Sequence, residues 1–236
     1  MTSGVDVRRA DGRFHTDAGW LDSWHSFSFG GHYDPDNTHH GLLLVSNDDT
    51  VAAGGGFQTH AHRDMEIVTW VLDGRLEHGD TLGNQDEIYP GLAQRMSAGR
   101  GIQHSEMNAS QIEPVHFVQM WVPPDARDLD ASYEQKDVSR QLDAGGLFPI
   151  ASGQGHEGAV AIHQRGAVLW GGRLGATESA DVPDAPHVHL FVARGAVELQ
   201  DETELRTGDA ARLTHAGSCA VAAADDGAEL LIWATD

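Results

Sequence analysis

Glycine punctuation is the feature that most limits what this chain can fold into. Its 28 glycines recur along the whole sequence and cut it into short runs rich in Val, Ile, Leu and Trp. Such runs are GLLLVSN from Gly41, MEIVTWVLDG up to Gly74, VHFVQMWVPP from Val115 to Pro124, GAVLWGG from Gly166, HVHLFVARG up to Gly195, and AELLIWATD at the end. Glycine weakens helix interiors and supplies the positive-φ conformations that tight turns demand. Short β-branched and aromatic runs bounded by such residues predict an all-β sandwich or barrel. Long amphipathic helical patterns are nearly absent, and only Lys136 to Leu142 has room for one or two helical turns.

A length of 236 residues fits one large or two small domains. The polar, charged stretch between Pro123 and Gly146 is poor in strand formers and reads as a linker with a crossing segment. It predicts an N-terminal unit over residues 1–136 and a C-terminal unit over 137–236. The halves look like a diverged repeat: WVLDGRLEH around Gly74 resembles FVARGAVEL around Gly195, and Gly91 matches Gly208 further on.

The charge balance removes whole classes of function. Thirty-six acidic side chains against 15 basic ones leave a net charge of −21. Such a chain repels phosphate backbones and anionic membrane surfaces, so no direct nucleic-acid or membrane partner is expected. Cys219 is the single cysteine, which excludes an intrachain disulfide and a cysteine-based zinc cluster. The N-terminus lacks the apolar core of a signal peptide, and the run from Cys219 to Ala224 is too short to span a bilayer. A soluble, cytoplasmic protein is the expectation.

Chemistry concentrates in two short segments of the first half. In THAHRDMEIVTWVLDG, His60 and His62 are two apart; in GRGIQHSEMN, His104 and Glu106 are again two apart. Residues two apart on an extended strand point to the same face. A single His-x-His pair in a strand is more often packing than ligation. Two such pairs on neighbouring strands, however, bring three imidazoles and a carboxylate together, a donor set suited to a divalent transition metal. Ligand type narrows that metal to Fe, Mn, Ni, Co, Cu or Zn and no further. Neither a phosphate-binding P-loop nor a G-x-S-x-G nucleophile motif is present.

The glycine before FQTHAH, the His-x-His pair, Glu66 and Gly74 match the first motif of the cupin proteins, and Pro90–Gly91 followed by His104 matches the second. HAHRDMEIVTWVLDGRLEHGDTLGN, MSAGRGIQHSEMN and GWLDSWHSFSFGGHYDPDN resemble the pirin family of bicupins, especially its bacterial quercetinase-like members. The resemblance is strong from about Arg8 to Val122. It implies two cupin-type β-barrels packed face to face, with one metal, most often iron, in the N-terminal barrel only. By the same resemblance His60, His62, His104 and Glu106 are the ligands. Glu66 is expected beside the site, orienting a ligand or a bound water. The family leans to a monomer.

The second half holds its own His-x-His, His187 and His189, but in a different register. With Gly74 and Gly195 aligned, His60 and His62 fall at Asp181 and Pro183, and His104 and Glu106 at about Val221 and Ala223. A degenerate C-terminal barrel without metal ligands is expected.

The resemblance implies a metal-dependent dioxygenase of the quercetin 2,3-dioxygenase type. It would open a flavonol-like aromatic ring with O2, and Glu106 would take the substrate's hydroxyl proton. The alternative is a non-catalytic, iron-binding regulatory protein that senses redox state and binds a partner protein. An enzyme needs a roomy apolar pocket reaching the metal, which a sensor does not. The loops Gly30 to His40 and Asp80 to Gln85 are expected to shape its entrance.

Overall fold

The computed structural model describes residues 4–236. Strands dominate it, as the glycine-punctuated runs predict; the single α-helix among the described residues, Ser139–Ala144, has six residues, and no helix is long and apolar enough to cross a membrane.

The first barrel is built from two sheets. Its seven-stranded sheet runs in the spatial order Ser132–Asp137, Leu92–Ser97, Glu66–Asp73, Val115–Val122, Val45–Val51, Leu21–His25, Phe14–Asp17. Its four-stranded sheet runs Gly56–His62, Ile102–Asn108, Leu76–Asp80, Gln85–Ile88. The second barrel is a nine-stranded sheet centred on the long strands His187–Leu199 and Cys219–Thr235. One strand crosses between the units: Gly4–Arg8, expected within the first unit, pairs antiparallel with Ala210–Thr214 of the second. Arg9 and the Ala10 N–H then lock onto Asp209, which holds the crossing in place.

The strand Glu66–Asp73 explains how the barrels meet. It is buried on both faces, so EIVTWVLD lacks the polar alternation of a half-exposed strand. Ile67 and Val71 face the interior of the first barrel. Val68, Trp70 and Leu72 face the other way, packing with Val118 and Met120 against Leu169, Phe191, Leu231 and Trp233 of the second. Polar pins cross this apolar layer: Trp70 Nε1 donates to Glu229 Oε1 at 2.9 Å, and Arg194 Nη2 to the Leu72 carbonyl at 2.7 Å.

Gly74 and Gly195, matched in the sequence, occupy equivalent turns with φ of +80° and +78°. A Cβ on Gly74 would lie 2.7 Å from the Pro114 carbonyl oxygen, and one on Gly195 would lie 2.1 Å from that of Gly227. Both turns therefore require glycine on conformational and steric grounds.

Candidate metal centre

Three neighbouring strands of the four-stranded sheet build the site. Ile102–Asn108 lies in the middle, with Gly56–His62 on one side and Leu76–Asp80 on the other. His104 pairs with His60 across one ladder and with Asp80 across the other; Glu106 pairs with His78. Residues directly opposite in an antiparallel ladder share a face. A register shift between His104 and Glu106 gives the Gly56–His62 strand an extra residue. Such bulges re-aim side chains. The imidazoles of His60, His62 and His104 meet with ring centroids 4.4–4.9 Å apart, and their donor atoms lie within 4.8 Å of one another. Glu106 joins a second group, with His78 and His104, that also lies within 4.8 Å. His104 belongs to both.

Hydrogen bonding leaves the candidate donor atoms free. His60 Nδ1–H donates to the Gln58 carbonyl at 2.8 Å, so its Nε2 carries a bare lone pair. His62 Nε2 and both ring nitrogens of His104 are buried with no hydrogen-bond partner among the described residues. Orphaned buried polar atoms are costly, and several converging on one point fit a cation-binding site. Burial, with His60 nearby, holds His62 down to about 4 and His104 to about 3, so both imidazoles are neutral, the form that binds metals. Burial pushes the Glu106 carboxyl up. Gln119 Nε2 approaches both Glu106 oxygens, at 2.9 and 2.8 Å, and Trp121 Nε1 donates to Gln119 Oε1 at 3.0 Å.

A cavity of about 370 Å³ opens onto His60, His62 and Glu106. Phe29, Phe57 and Trp121 form aromatic walls, while Ser23, His25, Asn47 and Asp49 form a polar one. Gly30 and Gly31 lie at its edge, as expected of that loop. The Asp80–Gln85 turn does not reach it: Asp80 instead closes its own turn with Leu82 and Asn84.

Two expectations need correcting. Glu66 does not stand beside the site. It accepts bonds from Ser97 Oγ at 2.7 Å and from the His163 backbone N–H at 3.1 Å, on the face turned toward the second barrel. On its strand the odd positions face the first barrel, where Thr69 approaches Gln119, so the even-numbered Glu66 must point away. In the second barrel, Asp181 pairs with Ala220 and Leu199 with Val221. With Gly74 and Gly195 matched, these pairs correspond to His60–His104 and His78–Glu106, which puts His104 at Ala220 and Glu106 at Val221, one and two positions from the expected Val221 and Ala223. Of these four positions only Asp181 carries a donor side chain, and it enters no metal-competent group among the described residues. His189 is buried beside Phe27 and Arg212, and neither it nor His187 enters a metal-competent group among the described residues.

The sequence reading missed His78 and Asp49. His78-x-Asp80 repeats the two-apart spacing of the other pairs and follows the Gly74 turn, a signal that was available. Asp49 sits in an ordinary polar run, and only the fold turns it into the cavity.

Asp49 is fully buried, with Ser23 Oγ–H donating to it, and burial, helped by the charges of Asp48 and Glu106, raises its pKa to about 7. A carboxyl whose folded pKa is raised contributes stability in full below its unfolded value, and loses it as pH rises through the folded one. In the metal-free protein, wild type should therefore lose stability relative to Asp49→Asn by about 2–3 kcal/mol between pH 5 and pH 8. Denaturant melts of both proteins at the two pH values measure this. A pH-independent difference would mean that Asp49 ionises normally.

Two all-β barrels, the first lined by converging imidazoles and carboxylates, define a bicupin with a metal-competent N-terminal barrel. The sequence matches the family model described as "Pirin" over residues 4–122 and that described as "Quercetinase C-terminal cupin domain" over residues 149–233. A Mycobacterium tuberculosis protein named "Putative quercetin 2,3-dioxygenase Rv0181c" is 55% identical over 234 residues, covering 99% of this chain and 96% of that one. A protein of Escherichia coli K12 named "Quercetin 2,3-dioxygenase" is 45% identical over 161 residues, 68% of each chain. The crystal structure of the bacterial pirin YhhW from Escherichia coli in complex with nickel(II) superposes with a TM-score of 0.90 at 35% identity, covering 98% of each chain. This chain belongs to the pirin family.

Proposed function

We propose that this protein is a metal-dependent dioxygenase that opens a flavonol-like aromatic ring with O2, using a metal site in the N-terminal barrel only. The observation that carries this reading is the cavity of about 370 Å³ that reaches the imidazole cluster, a size within the range of small-molecule sites. A purely structural or sensing metal needs no such space. The names of the relatives in Mycobacterium and Escherichia coli support the same substrate class.

His60, His62 and His104 would hold one divalent transition metal, with Glu106 completing the set. Iron is the first expectation from the family; nickel is the ion in the Escherichia coli pirin complex, and Mn, Co, Cu and Zn suit the same donors. When bound, such an ion acts as a Lewis acid that stabilises a deprotonated substrate hydroxyl. The chain's own residues do the rest. Phe29, Phe57 and Trp121 offer flat apolar faces to an aromatic ring and exclude water from it. Asn47, Ser23 and His25 offer hydrogen-bonding groups to ring hydroxyls. Glu106, raised by burial, takes the hydroxyl proton, and Gln119, itself held by Trp121, keeps its carboxyl in place. The second barrel buries the back of the first. The protein is proposed to act as a cytoplasmic monomer.

The test is to purify the protein without metal-affinity resin, quantify its metal, and follow the absorbance of quercetin in air. The expected result is an oxygen-dependent loss of flavonol absorbance that disappears in His62→Ala. Stoichiometric metal with no turnover, across several reconstituted metals, would overturn the enzymatic reading in favour of an iron-binding regulatory protein with a protein partner.

A further inference from the structure

The donor set of the first barrel continues past His104 and Glu106, on the side away from the cavity. His78 lies on the neighbouring strand with its side chain fully buried, its ring stacked on Tyr133 at 4.8 Å. Its Nε2–H donates to Asp80 Oδ2 at 3.0 Å. Asp80 is saturated as an acceptor by the backbone N–H groups of Leu82 and Asn84 and by the Asn84 side-chain amide. The proton of a neutral His78 is therefore fixed on Nε2. Its Nδ1 is left as a bare lone pair, buried and without a hydrogen-bond partner among the described residues.

An imidazole whose one N–H is given to a carboxylate, and whose other nitrogen stands free, has the arrangement of metal-bound histidines in proteins. An unpaired buried acceptor is costly, so a role that uses this lone pair is favoured over simple packing. The lone pair has company. One donor atom each from His78, His104 and Glu106 lie within 4.8 Å of one another, and all three residues are buried. His60 and His62, by contrast, are only half-buried and face the cavity. The two groups share His104, which has two unpartnered ring nitrogens.

We propose that the barrel holds two overlapping metal positions that share His104: one open to the cavity and completed by His60 and His62, and a closed one behind it, formed by His78, His104 and Glu106. This extends the site proposed above and rests on that site binding metal, but not on its turning over a flavonol. The closed position has two imidazoles and a carboxylate, donors suited to Zn(II), Co(II) or Ni(II). Its two imidazoles do not line the cavity and only Glu106 does, so it is the more enclosed of the two positions. It would keep metal in the protein while the open position is empty or rearranged. Asp80 is the positioning residue of this second set, acting through His78.

The test separates the positions by binding rather than by turnover. Co(II) is titrated into the metal-free full-length protein and followed by its visible absorption and by competition with a chelator. His60→Ala/His62→Ala removes the open set and leaves the buried one intact. The expected result is that this double variant still binds one equivalent of Co(II). Adding His78→Gln should abolish that binding, and adding Asp80→Asn instead should weaken it about 10–100-fold. X-ray absorption of the Co(II)-loaded double variant should count two imidazoles. The proposal is overturned if the double variant binds no more Co(II) than the variant that also lacks His78, or if only one imidazole is found. His60→Gln/His62→Gln, which keeps volume and polarity, answers the same question should the alanine pair fail to fold. Loss of quercetin turnover in a double variant that retains Co(II) bears on the open position alone. Absence of turnover in a metal-loaded wild type would sink the enzymatic reading and leave the two positions standing.

Discussion

Replacing His104 by alanine should abolish metal binding at this site and, with it, any ring-opening activity. His104 sits at the centre of the three-strand ribbon, opposite His60 on one side and Asp80 on the other, and it belongs to both donor groups. Its two ring nitrogens have no hydrogen-bond partner among the described residues. The loss of affinity should exceed the about 10–100-fold caused by removing an outer hydrogen-bond partner of a metal ligand. Calorimetric titration with Ni(II) or Fe(II) measures it directly. A thermal melt gives an independent reading: metal should raise the Tm of wild type by mass action and leave that of His104→Ala unchanged. Stoichiometric metal retained by His104→Ala would place the binding site elsewhere in the protein.

Trp70→Ala should be the most destabilising single change between the barrels, costing about 3–5 kcal/mol. Trp70 is 1% exposed and lies in the shared apolar layer, packed with residues of both barrels. Truncation leaves a large cavity between two β-sheets that cannot easily collapse. It also removes the 2.9 Å indole hydrogen bond to Glu229 and leaves that buried carboxylate to Arg173 alone. Trp70→Phe, which restores most of the volume but not the hydrogen bond, should recover more than half of the loss. Urea unfolding followed by circular dichroism checks both variants. A loss below about 1 kcal/mol for the alanine variant would show that the barrels do not depend on each other. Metal affinity should stay near that of wild type, because Trp70 points away from the site.

These two residues show how much was legible before the fold was known. The ligand pairs could be read because spacing of two on a strand is a local property: whatever the strand pairs with, His60 and His62 share a face, and so do His104 and Glu106. The third pair, His78 and Asp80, obeys the same rule and stood in plain sight in LEHGD. It matched no motif, and its importance depends on which strand lies beside Ile102–Asn108. Glu66 was misplaced for the complementary reason. Motif position put it near the metal, but the strand EIVTWVLD is apolar on both faces, so its pattern does not say which face looks inward.

The sequence by itself determined the elements and their local faces. Glycine at Gly74 and Gly195 dictated equivalent turns, the β-branched runs dictated strands, and the two-residue spacing aligned the imidazoles. These follow from backbone sterics and strand geometry, which act over a few residues. Only the tertiary structure decided what each face meets. It sent Gly4–Arg8 to the second barrel, turned Glu66 toward His163, brought Asp49 into the cavity wall and set His78 behind His104. Each of those outcomes depends on ladder register and on sheet packing between segments far apart in the chain, where a one-residue shift reverses every side chain.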